Sequence, residues 1–382
     1  MSDSNPKQTP IINCHTHIFT LDHVPDNFLP LGLAKVFRWL PFRRLACWLL
    51  RALSPFDSRD LFSRYANFLE VGAQPSQADV LNKLTGYYPP SSRFIVLPMD
   101  MAFMGAGEPA KDIYQQHEEL AELARNSRGH LLPFIAIDPR RHSRAGTDLR
   151  QYAQQLLDKT HTDGTRIFKG IKLYPPLGYL PIDVALEPIW ELCDELSLPV
   201  MTHCSRGGVK SKDLAPSTAA HYADPDHYRT ILSTYPNMRL CLAHFGGSQD
   251  WQKFFYDVGS RQEAALDAPH NARAHMNWLT KIMQMIKSGE YPNLYTDISY
   301  TVFNIEDYMP ALKVFLRDNR LRSRTLFGSD FYMSEQEVFE ECFLSIKLRA
   351  ELGEKTYSTI ARTNPVHYLN GLAYESKEQT LA

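Results

Sequence analysis

The sequence predicts an α/β protein, a (β/α)8 TIM barrel with a helical insertion after its first strand. Three observations carry this. Eight short apolar runs of strand type recur along the chain, helical segments separate them, and several runs break at their C-terminal ends on a polar residue. Strands that alternate with helices imply parallel βαβ units, and eight of them imply a closed barrel. The reading is one barrel domain over 11–375, with 20–92 as the insertion, because no internal repeat or low-complexity linker divides the chain.

The first strand is expected over Ile11–Ile18. The stretch after it holds no second strand until about Ser92. Within it, Leu31–Leu53 sets Lys35, Arg38, Arg43, Arg44 and Arg51 among Phe37, Trp39, Leu40, Phe42, Leu45 and Trp48, with no acid. Pro41 divides this stretch into two short helices. A basic amphipathic stretch of this kind suits a lid or a subunit contact, and its alternative use is on a membrane surface.

The regular rhythm then starts. Strands are expected at Arg93–Asp100, Leu131–Asp138, Gly170–Pro175, Pro199–Cys204, Arg239–Phe245, Leu294–Ser299 and Arg324–Asp330. Helices are expected near Lys111–Arg125, Gly146–Lys159 and Glu187–Leu196.

Composition narrows the function classes. The chain has 382 residues, 44% of them apolar and 22% charged, with a formal net charge of −2, which gives no case for general binding of nucleic acid. Its six cysteines show no Cys-x-x-Cys spacing and lie mostly in apolar runs, so reduced thiols and a cytoplasmic setting are expected. Met1–Pro10 has no apolar signal core, and no apolar run is long enough to predict a membrane span.

The chemistry is expected where strands end and βα loops begin. In Asn13-Cys14-His15-Thr16-His17, strand alternation puts Asn13, His15 and His17 on one face. Two imidazoles two residues apart on a strand can close on one metal ion. His203, His244, Asp297 and Asp330 end strands five to eight, and Lys172 lies in the fourth. Four histidines and an aspartate at one barrel edge point to a metal centre.

These segments, with Gly170-Ile171-Lys172-Leu173-Tyr174-Pro175, Ala243-His244-Phe245-Gly246-Gly247, Phe327-Gly328-Ser329-Asp330 and Asn364-Pro365-Val366-His367-Tyr368-Leu369, resemble the amidohydrolase superfamily. The resemblance is to its amidohydrolase 2 branch, which includes aminocarboxymuconate semialdehyde decarboxylase. It implies that His15, His17, His203 and Asp330 hold one divalent metal, zinc first, with a position left for water. Asp330 would also act as general base, and His244 would orient the water or polarise the substrate. Lys172 would contact substrate or, in a less favoured binuclear arrangement, be carboxylated and bridge two metals.

Asp297 is read as orienting a histidine ligand or as a satisfied strand end. Arg206, in His203-Cys204-Ser205-Arg206-Gly207-Gly208, is placed to meet an anionic substrate, its plain alternative being a solvated loop arginine. Cys204 points away from His203 by alternation, as a packed thiol. The segments Gly207–Tyr235 and Ser248–Asn293, with His221, Tyr222, His275 and Trp278, are expected to roof the pocket.

Three functions follow. A metal-dependent hydrolase of an amide, ester or lactone in a small anionic substrate ranks first. A non-oxidative decarboxylase of an aromatic or unsaturated carboxylic acid, using the same residues, ranks second. A non-catalytic binding protein that uses the basic insertion ranks third. A small-molecule substrate and a homo-oligomer, a dimer first, complete the expectation.

Overall fold

The eight expected strands form one parallel sheet in sequential order: β1 Ile12–Thr16, β2 Arg93–Val96, β3 Leu131–Ala136, β4 Gly170–Leu173, β5 Pro199–Thr202, β6 Arg239–Leu242, β7 Leu294–Asp297 and β8 Thr325–Leu326. The computed structural model describes residues 9–28, 35, 67, 69–127, 129–256, 277–301, 305–336 and 341–371. Most of the 20–92 insertion, including all of Leu31–Leu53 except Lys35, and the segment holding His275 lie outside the described residues. Inside them, the insertion contributes a 3-10 turn, Leu21–His23, and a helix, Gln77–Gly86, capped by Ser76. Among the described residues no helix is long and apolar enough to cross a membrane.

The ring closes between the first strand and the segment after the last. Cys14 N donates to Phe327 O at 2.9 Å, and Asp330 N donates to His15 O at 2.9 Å. β8 is only two residues long, yet the backbone beyond it continues along β1 as far as Phe331.

The helices start where side chains can cap them. Asp112 and Gln115 form a capping box at the head of Ile113–Asn126. A short helix that was not expected, Arg140–Ala145, precedes the one expected at Gly146–Lys159, which spans Leu149–Leu157. Gly146, at φ 69°, ends the first, and Asp148 caps the second.

Two apolar layers result. One lies between strands and helices. The other fills the lumen with Ile12, Cys14, Ile95, Leu97, Leu132, Phe134, Met201, Cys241, Tyr295 and Leu326. Tyr368, from the helix Asn364–Asn370, joins this lumen layer against Phe134 and Tyr295. That helix is tied to the barrel where Arg239 donates to Tyr368 O at 2.5 Å and Asn364 donates to Thr325 O at 2.7 Å. Gly170 is required by space: a Cβ there would lie 2.2 Å from Pro199 O and 2.9 Å from the Phe134 ring.

Candidate metal centre

The pairing of β1 with β2 gains one residue between Asn13 and Thr16, a β-bulge. Strict alternation therefore fails there. Cys14 packs in the lumen, while the next residue, His15, also reaches inward to Asp297. Asn13, expected on the face of His15, instead bonds to Tyr88 and Ser329.

His15 Nδ1 lies 2.9 Å from Asp297 Oδ2, and His17 Nδ1 lies 2.6 Å from Leu97 O. A carbonyl oxygen only accepts, so His17 carries its proton on Nδ1, and the Asp297 carboxylate fixes His15 the same way. Each Nε2 is then left to face Asp330: Oδ1 is 3.2 Å from His17 and 3.5 Å from His15. These three buried residues form a group able to hold a metal ion. Burial lowers the pKa of His15 to about 4, against the pull of Asp297 upward, so its ring is neutral at pH 7. Burial would push Asp330 up, but the imidazoles of His15 and His17 beside it favour the carboxylate and hold it well below the usual carboxylate range.

His203 follows β5 and lines the same cavity, outside the three-residue group. Its Nε2 donates to Gly207 O at 2.9 Å, and its Nδ1 lies 3.0 Å from His244 Nε2. Tyr174 stacks on it with ring centroids 4.3 Å apart. The glycine loop does make a close approach, but to these two rings: a Cβ on Gly208, at φ 100°, would lie 2.8 Å from both His203 Cε1 and the Tyr174 hydroxyl. Burial and the charges of His244 and Lys172 push the His203 pKa well below 6.5.

His244 occupies a turn after β6 at φ 67°, and its N–H donates to Asp297 Oδ1 at 3.0 Å. Asp330 has φ 65° and Tyr300 φ 58°. Left-handed residues without glycine's freedom cost about 1–3 kcal/mol each, and here all three line the cavity.

Sequence reasoning did not single out Ser299. Its hydroxyl lies 3.1 Å from His15 Nδ1, 3.0 Å from His244 Nδ1, and in a short hydrogen bond to Asp297 Oδ1. The only signal was its place two residues beyond Asp297, on the same strand-end face.

Lys172 lies in the lumen, 1% exposed, and its Nζ has no hydrogen-bond partner among the described residues. Burial lowers its pKa from 10.5 to about 8, while Asp297 and Asp330 act to raise it. It does not line the cavity. Arg206 is likewise absent from the cavity wall. Its Nε donates to the buried Asp250 at 2.8 Å and its guanidinium lies over Trp278, which is why the loop arginine does not turn toward the site. Cys204 is a packed thiol directed at Ala223 O.

The cavity measures about 410 Å³. Phe28, Met99, Tyr174, Val209, Tyr300 and Met333 supply its apolar walls, and among its described lining residues there is no lysine or arginine. Gly207, Gly208 and Ser248 come from the two segments expected to roof it, whereas His221, Tyr222 and Trp278 do not line it.

A family model described as amidohydrolase matches residues 99–369. No curated protein matches the chain. Among solved structures, a dihydroxybenzoic acid decarboxylase from Polaromonas sp. JS666, with bound manganese and the inhibitor 2-nitroresorcinol, is 13% identical with a TM-score of 0.55, over 95% of this chain and 97% of that one. A 5-carboxyvanillate decarboxylase from Novosphingobium aromaticivorans DSM 12444, complexed with manganese and 4-hydroxy-3-methoxy-5-nitrobenzoic acid, is 14% identical with a TM-score of 0.53, over 97% of each chain. A 2,6-dihydroxybenzoate decarboxylase from Rhizobium is 15% identical with a TM-score of 0.51, over 95% of this chain and 99% of that one. At these identities the likeness is one of fold.

Proposed function

The chain belongs to the amidohydrolase family, and from this we propose that it is a metal-dependent, non-oxidative decarboxylase of a small aromatic carboxylic acid. The observation that carries the reading is the cavity: flat and flexible apolar side chains around a floor of His15, His17 and Asp330, with no cationic side chain among the described lining residues. A carboxylate bound there lies against apolar side chains and, among the described lining residues, meets no lysine or arginine. Losing it as carbon dioxide removes the charge that the walls solvate poorly. The names of the similar structures support the same order, so decarboxylation is placed ahead of hydrolysis, the first expectation from sequence.

The donor set fits a divalent ion. Two imidazole nitrogens and a carboxylate oxygen converge, and both rings are fixed from behind by Asp297 and Leu97. His203 is proposed as the fourth ligand through Nδ1, the nitrogen that its bond to Gly207 leaves unprotonated. Nitrogen-rich donors favour zinc, and manganese, present in two of the similar structures, is the other ion to test. The ion would place positive charge beside the substrate's carboxylate and any neighbouring hydroxyl oxygen.

Asp330, ionised at rest, is set to take a proton from such a hydroxyl and deliver it to the ring carbon from which carbon dioxide departs. The electron pair of the broken carbon–carbon bond stays on that carbon and accepts this proton; solvent restores the hydroxyl. His244, tied to His203, Ser299 and Asp297, lines the cavity beside His15.

The test is to load the protein with zinc or manganese and assay hydroxylated benzoates for stoichiometric carbon dioxide release. Turnover of esters or lactones without release from any carboxylic acid would restore the hydrolase reading.

A further inference from the structure

Asn13 is fully buried, and its carboxamide makes four hydrogen bonds, the full capacity of the group. Oδ1 accepts from Ser329 N at 3.1 Å and from His15 N at 3.3 Å. Nδ2 donates to Ser329 Oγ at 2.8 Å and to the Tyr88 hydroxyl at 3.0 Å. A single side chain on the first strand thus grips both the backbone and the side chain of a residue 316 positions away. That residue immediately precedes Asp330.

The grip extends on both sides. Ser329 Oγ also accepts from Phe331 N at 3.1 Å, so the residues flanking Asp330 are bound to each other and, through Asn13, to β1. Tyr88 passes the network on to Glu341 Oε1 at 2.5 Å, and Glu341 Oε2 accepts from Ser334 at 3.1 Å. Asp330 itself is left-handed, a conformation that persists only when its surroundings over-determine it. A carboxylate here could not donate to Ser329 Oγ, and an apolar residue could neither donate nor accept. The carboxamide matches the adjacent donor and acceptor of Ser329.

We infer that Asn13 is a positioning residue that sets the span between the histidines of β1 and the carboxylate beyond β8, and thereby the affinity of the site for its divalent ion. The inference rests on the metal reading above, and the experiment separates the two. Asn13→Ala, Ser329→Ala and the double variant are compared with the parent, metal-free and then loaded. Zinc affinity is measured by competition with a chromophoric chelator, and cobalt is used as a spectroscopic probe of ligand geometry.

The expected result is a loss of zinc affinity of about 10–100-fold in each single variant, with a changed cobalt absorption spectrum. The double variant should fall no further than the worse single one, since both act through the same bonds. Ser329→Ala deletes only a hydroxyl, so it carries the test if Asn13→Ala fails to fold. Parent-like affinity and cobalt spectrum in the variants, with only a lower melting temperature, would overturn the inference and leave the metal site standing. A parent protein that binds neither zinc nor cobalt would overturn both.

Discussion

The Nδ1 of His15 and the Oδ2 of Asp297, 2.9 Å apart and both buried, decide which nitrogen of His15 faces the cavity. The same carboxylate accepts from the backbone of His244 at 3.0 Å and of Ser299 at 2.9 Å. One side chain at the end of β7 therefore orients a ring on β1 and the turn beyond β6.

Asp297→Asn is predicted to invert that orientation electronically without moving it. An amide N–H aimed at Nδ1 would place the proton of His15 on Nε2, the nitrogen that must be bare to bind an ion. Metal affinity is expected to fall about 10–100-fold while the far-ultraviolet circular dichroism is unchanged. Affinity equal to the parent's, read by chelator competition, would show that Asp297 merely satisfies a strand end.

Asp330→Asn removes the proton-transfer group and an anionic ligand together. Carbon dioxide release is expected to drop at least about 100-fold, with the thermal transition still cooperative. Near-parental turnover would refute the assigned role.

Lys172 gives a prediction about pH. Its pKa is about 8 in the folded protein against 10.5 for the free side chain, burial being the main cause. Between those values the unfolded chain binds more protons than the folded one, so this group makes stability rise with pH across that window. Below pH 8 the full penalty is present, on the order of 3 kcal/mol. Lys172→Met should raise the melting temperature at pH 7, and its advantage over the parent should shrink toward pH 10. A variant less stable than the parent at pH 7 would mean that the ammonium's attraction to Asp297 and Asp330 outweighs its burial.

Much of this was legible in the sequence. Eight apolar runs gave the barrel, and the histidines at their ends, with Asp330, marked residues that line the cavity. Strand periodicity misled at one point, because it assumes a regular pleat: the bulge between Asn13 and Thr16 turns Cys14 and His15 inward in succession and sends Asn13 elsewhere. The roles of Asn13 and Ser299 depend on partners from distant strands, which no local pattern encodes. Neither an anion-binding nor a solvated Arg206, the two readings that its loop suggests, matches the structure, because its partner, Asp250, lies 44 residues on and is fully buried.

The seam between β1 and the segment after β8 bears on how the chain is made. β1 leaves the ribosome first among the eight strands, yet its second edge is matched only when Phe327–Phe331 arrive. Until then the growing sheet carries an open edge, and the lumen lacks the Tyr368 side chain that fills it from the helix Asn364–Asn370. Such long sequence separation between partners slows folding and leaves pairing groups exposed meanwhile. The two histidines of β1 therefore spend most of synthesis without the carboxylate that completes their group.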